Sequence, residues 1–188
     1  MSLSRPIVVE KAEEYAEEEP LYPVEEEAVE TYPAAFAGGE FGRRDAEWVV
    51  QWHYRRFLGA YPDDRRREGE ERFGENERGA VREAVLGAAN AEGLEERVDR
   101  LLELKGVDLR VASAFLQFID PGRYVAVDGR TWGALHEAGE LDDPHPDPVT
   151  LEEYRTFLAA CRRVAEEADV DLWTLYRALW RIGRGGSE

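Results

Sequence analysis

At 188 residues the chain is long enough for one domain with a full core, or for two small lobes sharing an interface. No apolar run approaches the roughly eighteen residues that span a bilayer, and a lone cysteine, Cys161, excludes both a disulfide framework and a four-cysteine metal or iron–sulfur site. The net charge of −17 argues against a polyanionic partner, yet residues 1–40 carry −9 of it and residues 41–188 only −8.

Lys11 and Lys105 are the only lysines; every other basic residue is arginine. That balance suits either hydration in strong salt or a GC-rich genome. Residues 1–40 read as an acidic N-terminal arm. Lys11 to Glu19 and Val24 to Glu30 have helix propensity but few apolar residues to pack, so short helices or a mobile arm are expected. Such an arm would suit a polyanion mimic that covers a basic cleft. Met1 to Val9 lacks the anatomy of a signal peptide, which leads to an expectation of a cytoplasmic protein with no membrane partner.

Residues 41–188 are expected to form a helical domain. Asp45 is a good N-cap for a helix reaching Leu58, with Trp48, Trp52, His53 and Tyr54 on it. Tyr61-Pro62 ends it. Asp63 to Phe73 is arginine-rich and polar, with Arg65-Arg66-Arg67 read as solvated. Val81, Val85, Leu86 and Ala89 place a helix over Asn76 to Asn90. Leu94, Val98, Leu101 and Leu102 place another over Leu94 to Leu104.

After a Lys-Gly-Val-Asp turn, Leu109 to Ile119 is apolar at helical spacing, and Asp120-Pro121-Gly122 is a turn. Tyr124 to Val127 is a short extended link, and Asp128 opens a helix to Ala138. The alternation Asp143-Pro144-His145-Pro146-Asp147 is the best metal candidate, but its prolines splay the side chains apart, so no metal and no cofactor are expected. Thr150 and Glu153 form a capping box for a helix to about Ala168, which carries Cys161 as a buried thiol. A last helix opens near Asp171. One of its stripes is Leu172, Leu175, Tyr176, Leu179 and Ile182, and the opposite one is Trp173, Arg177, Trp180, Arg181 and Arg184. The body is therefore all-α.

The order Leu101-Leu102-Glu103-Leu104-Lys105-Gly106-Val107-Asp108-Leu109-Arg110-Val111-Ala112, then an apolar helix, a proline turn and Val127-Asp128-Gly129-Arg130-Thr131-Trp132, carries most information. It resembles the helix-hairpin-helix DNA glycosylase superfamily, especially the 8-oxoguanine glycosylase and endonuclease III branches. In these a leucine, a Gly-Val-Gly hairpin, an alanine-bearing helix and a Val-Asp step follow in the same order. Arg110 and Asp128 stand 18 residues apart, as do the family's lysine and aspartate positions. The close resemblance covers about 35 residues, from Leu101 to Leu135.

The resemblance implies a two-lobed all-α fold with a cleft between the lobes, one lobe from residues 63–137 and the other from 44–60 and 150–184. It implies double-stranded DNA with a damaged or mismatched base as partner. Asp128 would be catalytic, its carboxylate stabilising an oxocarbenium-like sugar and orienting water. Lys105, Gly106, Val107 and Arg110 would contact nucleic acid at the hairpin. Trp48, Trp52, His53 and Trp132 would line a pocket or stack on an extruded base, and Arg130, Arg177 and Arg184 would contact phosphates.

Two departures shape the chemistry. Arg110 stands at the position of the Schiff-base lysine and cannot act as a nucleophile, so the activity implied is monofunctional base excision, or damaged-base binding, without a lyase step. Asp108 replaces the second hairpin glycine, where its carboxylate repels phosphate but caps the following helix. These departures, with the acidity, suit an alternative: a non-catalytic relative serving protein interaction or regulation. Asp128 itself reads either as the catalytic carboxylate or as an ordinary helix cap. The tryptophan pair Trp48/Trp52 reads first as core.

Overall fold

A computed structural model describes residues 2–184 of the chain. Among them all regular structure is helical, so the fold is all-α: α1 (Arg5–Glu18), α2 (Tyr22–Gly38), α3 (Arg43–Arg55), α4 (Asp63–Gly74), α5 (Arg78–Asn90), α6 (Leu94–Leu102), α7 (Leu109–Ile119), α8 (Gly129–Glu137), α9 (Leu151–Ala168) and α10 (Leu172–Gly183). No described helix is long and apolar enough to cross a membrane. Residues 185–188, the end of the expected helical domain, lie outside the described residues.

Local chemistry sets many of the helix boundaries. Asp108, Asp128, Thr150 and Asp171 each accept a hydrogen bond from a backbone N–H of the turn they open, satisfying donors that an α-helix leaves unpaired. The polar stretch after Pro62 is helical too, for a different reason. α4 buries only Phe73, and its support comes from acids in the first turn, Arg72 in the last, and side-chain pairs such as Arg66 with Asp63 (3.1 Å) and with Glu70 (3.4 Å).

The chain separates into two compact units, one of Glu27–Asp120 and one combining Met1–Glu26 with Pro121–Glu188. In the central unit α3, α5, α6 and α7 pack around Val49, Val50, Val85, Leu101, Phe115 and Phe118, all buried. α3 groups with these central helices and not with the C-terminal ones, and residues 121–137 fall in the other unit.

The second unit joins both ends of the chain. Its glutamate-rich beginning is α1, a 14-residue helix packed on α10 through buried Val8, Ala12 and Tyr15. Few apolar residues suffice because they recur at intervals of four and three and so share one face. The Tyr124–Val127 link is buried without forming a strand. Tyr154 of α9 donates to the Val125 carbonyl at 3.0 Å, and Cys161 lies in the same core. Burial pushes the Cys161 thiol far above its ordinary range.

Candidate functional site

The α6–α7 connection is built from its own small turn. Leu104 and Val107 are buried on either side of Lys105 and Gly106, and Val107 N–H donates to the Leu104 carbonyl at 3.3 Å. Gly106 has φ +76°, and a Cβ there would lie 2.7 Å from Phe73 N and 2.8 Å from the Gly69 carbonyl, so only glycine fits. Asn76, at the α4–α5 link, grips the turn from the side. Its Oδ1 accepts from Lys105 N and its Nδ2 donates to the Lys105 carbonyl, each at 2.9 Å.

The residues singled out at this turn share one groove of about 530 Å³. Lys105, Gly106, Val107 and Arg110 line it together with Tyr54, Tyr61, Arg65 and Arg72. Glu68, Glu103 and Asp108 line it as well. Asp108 is bound internally: Oδ1 accepts from Val111 N at 2.9 Å, and Oδ2 sits 3.3 Å from Arg110 Nη2. The turn's own donors are partly used, since the N–H groups of Lys105 and Val107 already have acceptors. Cationic side chains and the tyrosines are thus the groove's main means of holding an anionic, planar ligand.

Beside the groove, His53 is buried, with its ring edge-on to Tyr54 at 4.8 Å and Nδ1 without a hydrogen-bond partner among the described residues. Burial first, then the charges of Arg56 and Arg110, hold its pKa well below the usual histidine range, so the imidazole is neutral. Burial and the charge of Asp108 push the Tyr54 phenol up, so it remains a neutral donor. Trp48 and Trp52 pack edge-on against Phe118 at 5.2 and 4.8 Å, and the Arg56 guanidinium lies 4.2 Å from the Trp52 ring centre.

Asp128 belongs to the other unit and is 3 % exposed. Its Oδ1 accepts from both Arg130 N (2.8 Å) and Thr131 N (2.9 Å), while Thr131 Oγ1 accepts from Asp128 N at 3.1 Å. One carboxylate oxygen thus caps α8 and fixes the group's orientation. Trp132, on the same helix, is buried: it stacks on Phe157 at 5.9 Å and donates to the Asp143 carbonyl at 2.9 Å. That places the proline-rich segment next to Trp132. Among the described residues no group of three or more histidine, cysteine or acidic side chains stands together as a metal site.

The arginines expected at phosphates meet protein groups in this unit. Arg130 lies over Trp180 at 4.5 Å, Arg177 over Tyr22 at 5.4 Å, and Arg184 pairs with Glu19 at 3.0 Å. Arg181 pairs with Glu18 and Glu19, and Trp173 donates to Glu26. Trp173, Arg181 and Arg184 of the α10 stripe thereby meet carboxylates from the first 26 residues, while Arg177 meets Tyr22 and Trp180 meets Arg130. Compared with known protein families, curated proteins and solved structures, the chain matches none.

Sequence reasoning did not select Tyr61, Arg72, Gly69 or Asn76, which complete the groove or brace its turn. No local pattern marks them. They come from three other segments, and only folding brings them to the turn.

Proposed function

We propose that the chain is a DNA-repair-type protein, a divergent relative of the helix-hairpin-helix glycosylases. In this reading α6, the Leu104–Asp108 turn and α7 are the helix-hairpin-helix. The observation that carries it is the convergence of Lys105, Gly106, Val107 and Arg110 with two tyrosines and two further arginines in one groove. Cations and aromatic faces in a single groove are what a nucleic-acid strand needs. The pairing of Asp108 with Arg110 lessens the repulsion a hairpin carboxylate would exert on a phosphate.

The chemistry follows the residues. The bond between base and sugar breaks with its electron pair leaving on the base nitrogen as the sugar acquires oxocarbenium character, and the Asp128 carboxylate stabilises that charge. A water molecule adds to the sugar carbon while its proton passes to the carboxylate and, through solvent, to the released base. No amine adds to the sugar, because Arg110 stays protonated.

A base-release assay on duplexes carrying damaged or mismatched bases, run at high salt, tests the proposal by comparing wild type with Asp128→Asn. Release by wild type and its loss in the variant support the proposal, with no borohydride-trapped adduct in either. Neither release nor duplex binding on any substrate overturns it. The second reading, a non-catalytic relative serving protein interaction or regulation, draws on the use of Asp128 Oδ1 as the cap of its own helix. It predicts duplex binding or partner binding without base release.

A further inference from the structure

A second, smaller cavity of about 220 Å³ lies in the central unit, lined by Phe41, Gly42, Arg43, Arg78, Val81 and Arg82. Half of its lining residues are arginines and none is acidic, in a chain whose acids outnumber its bases by 17. We propose that this cavity is an oxyanion site that takes a single phosphate group.

Two of the guanidinium groups are held in place before any ligand arrives. Arg43 donates to Glu47 (2.6 Å) and to the carbonyls of Asn76 and Gly74 (both 2.6 Å), so its plane is fixed. Arg82 donates to the Gly39 carbonyl and lies 5.9 Å from the Phe41 ring centre. Gly39 has φ +72°, and a Cβ there would meet the Arg82 guanidinium at 2.8 Å, so glycine makes room for the side chain. Arg78 is exposed.

Charge decides the ligand. Glu47 neutralises Arg43, whereas neither Arg78 nor Arg82 has a carboxylate partner among the described residues. Asp45, the nearest acid in sequence on α3, is directed to the backbone N–H of Gly42 at 2.7 Å. The first turn of α5 holds no acid, while Glu77 at its N-cap, whose side chain makes no cap, offsets part of the positive end of the helix dipole. The volume is below the roughly 300–1,000 Å³ of sites for drug-sized molecules, and it fits one tetrahedral oxyanion. Arg43 spends each of its three nitrogens on protein acceptors, so the donors left for a ligand are those of Arg78 and Arg82, whose guanidinium geometry suits such a group better than a halide.

The same phosphate chemistry has two sources, a nucleic-acid backbone and free phosphate or a phosphomonoester. The first rests on the reading of the chain as a DNA-binding protein; the site itself does not. Arg43 links the cavity to the groove, since it holds the Asn76 carbonyl while the Asn76 side chain holds Lys105. A backbone phosphate here would extend the groove's contact by one further anchor.

The test titrates full-length protein with inorganic phosphate at constant ionic strength and follows the backbone amides of Gly42, Arg43 and Val81 by NMR. Saturable shifts are expected with phosphate but not with matched chloride. Arg78→Gln/Arg82→Gln, both exposed positions, is expected to bind phosphate at least tenfold more weakly while its spectrum remains that of the folded protein. Equal shifts in variant and wild type, or equal shifts with chloride, would overturn the site. Duplex binding then separates the sources. If the phosphate is a backbone one, the slope of log affinity against log salt falls by about 1 in the variant; an unchanged slope assigns the site to free phosphate or a phosphomonoester. Failure of the repair reading shows as no base release from wild type, a result the phosphate titration does not depend on.

Discussion

Asp108 divides its carboxylate between two tasks: Oδ1 caps α7 by accepting from Val111 N at 2.9 Å, and Oδ2 holds Arg110 at 3.3 Å. The two tasks separate chemically. Asp108→Asn keeps an oxygen for the cap and loses the charge, so stability is expected to change by under about 1 kcal/mol, while Asp108→Ala loses the cap and costs about 1 kcal/mol. Both free Arg110. Under the proposed DNA reading both variants bind duplex more tightly than wild type, measured by fluorescence anisotropy at fixed salt. Weaker binding by Asp108→Asn would show that the carboxylate is not an obstacle to phosphate.

The brace at Asn76 is a structural prediction, independent of function. Asn76 is buried, and its side chain makes three hydrogen bonds: two with the Lys105 backbone and one to the Phe73 carbonyl at 2.9 Å. Asn76→Ala leaves two carbonyls and one N–H without these partners, and a cost of about 2–3 kcal/mol is expected in urea unfolding. Hydrogen exchange at Lys105 N–H should rise with it. A variant as stable as wild type would mean that water or a shifted turn replaces the brace.

What the sequence made legible follows from this contrast. The hairpin turn is readable because Gly106 and Asp108 are local signals, a positive-φ glycine and an N-cap. α7 is found from Leu109 to Ile119, as the apolar run predicts, because its burial makes nearly every residue apolar. Asn76 acts across 29 residues through a single amide, and nothing beside it in the chain announces that. α4 escaped because charge pairing, not an apolar stripe, supports it. The aromatic and arginine stripe of α10 was legible as chemistry but not as a destination. The partners of Trp173 and Arg181 are glutamates more than 140 residues away.

Those glutamates give the third prediction. Glu19 and Glu18 both pair with Arg181, at 3.0 and 2.5 Å, but their side chains are 6 % and 57 % exposed. Burial, not distance, sets their worth: an exposed pair contributes about 0–1 kcal/mol, whereas removing one partner of a buried pair leaves the other uncompensated. Glu19→Ala is expected to cost about 2 kcal/mol, less than a fully buried pair because Arg181 retains Glu18, and Glu18→Ala within about 0.5 kcal/mol. Paired denaturation curves of the two variants check the ranking, and equal costs would refute it.

The last prediction concerns pH. His53 is neutral in the fold because burial, then Arg56 and Arg110, hold its pKa well below the ordinary value of 6.5. In the unfolded chain the imidazole is exposed and takes a proton as pH falls through about 6.5. Below that point the unfolded state binds more protons than the native one, so stability declines with falling pH by about 1.4 kcal/mol per unit until the native pKa is reached. Above about pH 6.5 neither state is protonated there, and this stabilisation is fully present. The window between pH 6.5 and 5 isolates the effect, because most carboxylates titrate lower. His53→Leu keeps an apolar side chain in place and removes the titration. Its urea midpoint is therefore expected to stay nearly level from pH 7 to 5 while the wild-type midpoint falls, with all shared groups cancelling between the two curves. Parallel curves would show that His53 carries a proton in the folded protein, and the neutral imidazole beside Tyr54 would have to be abandoned.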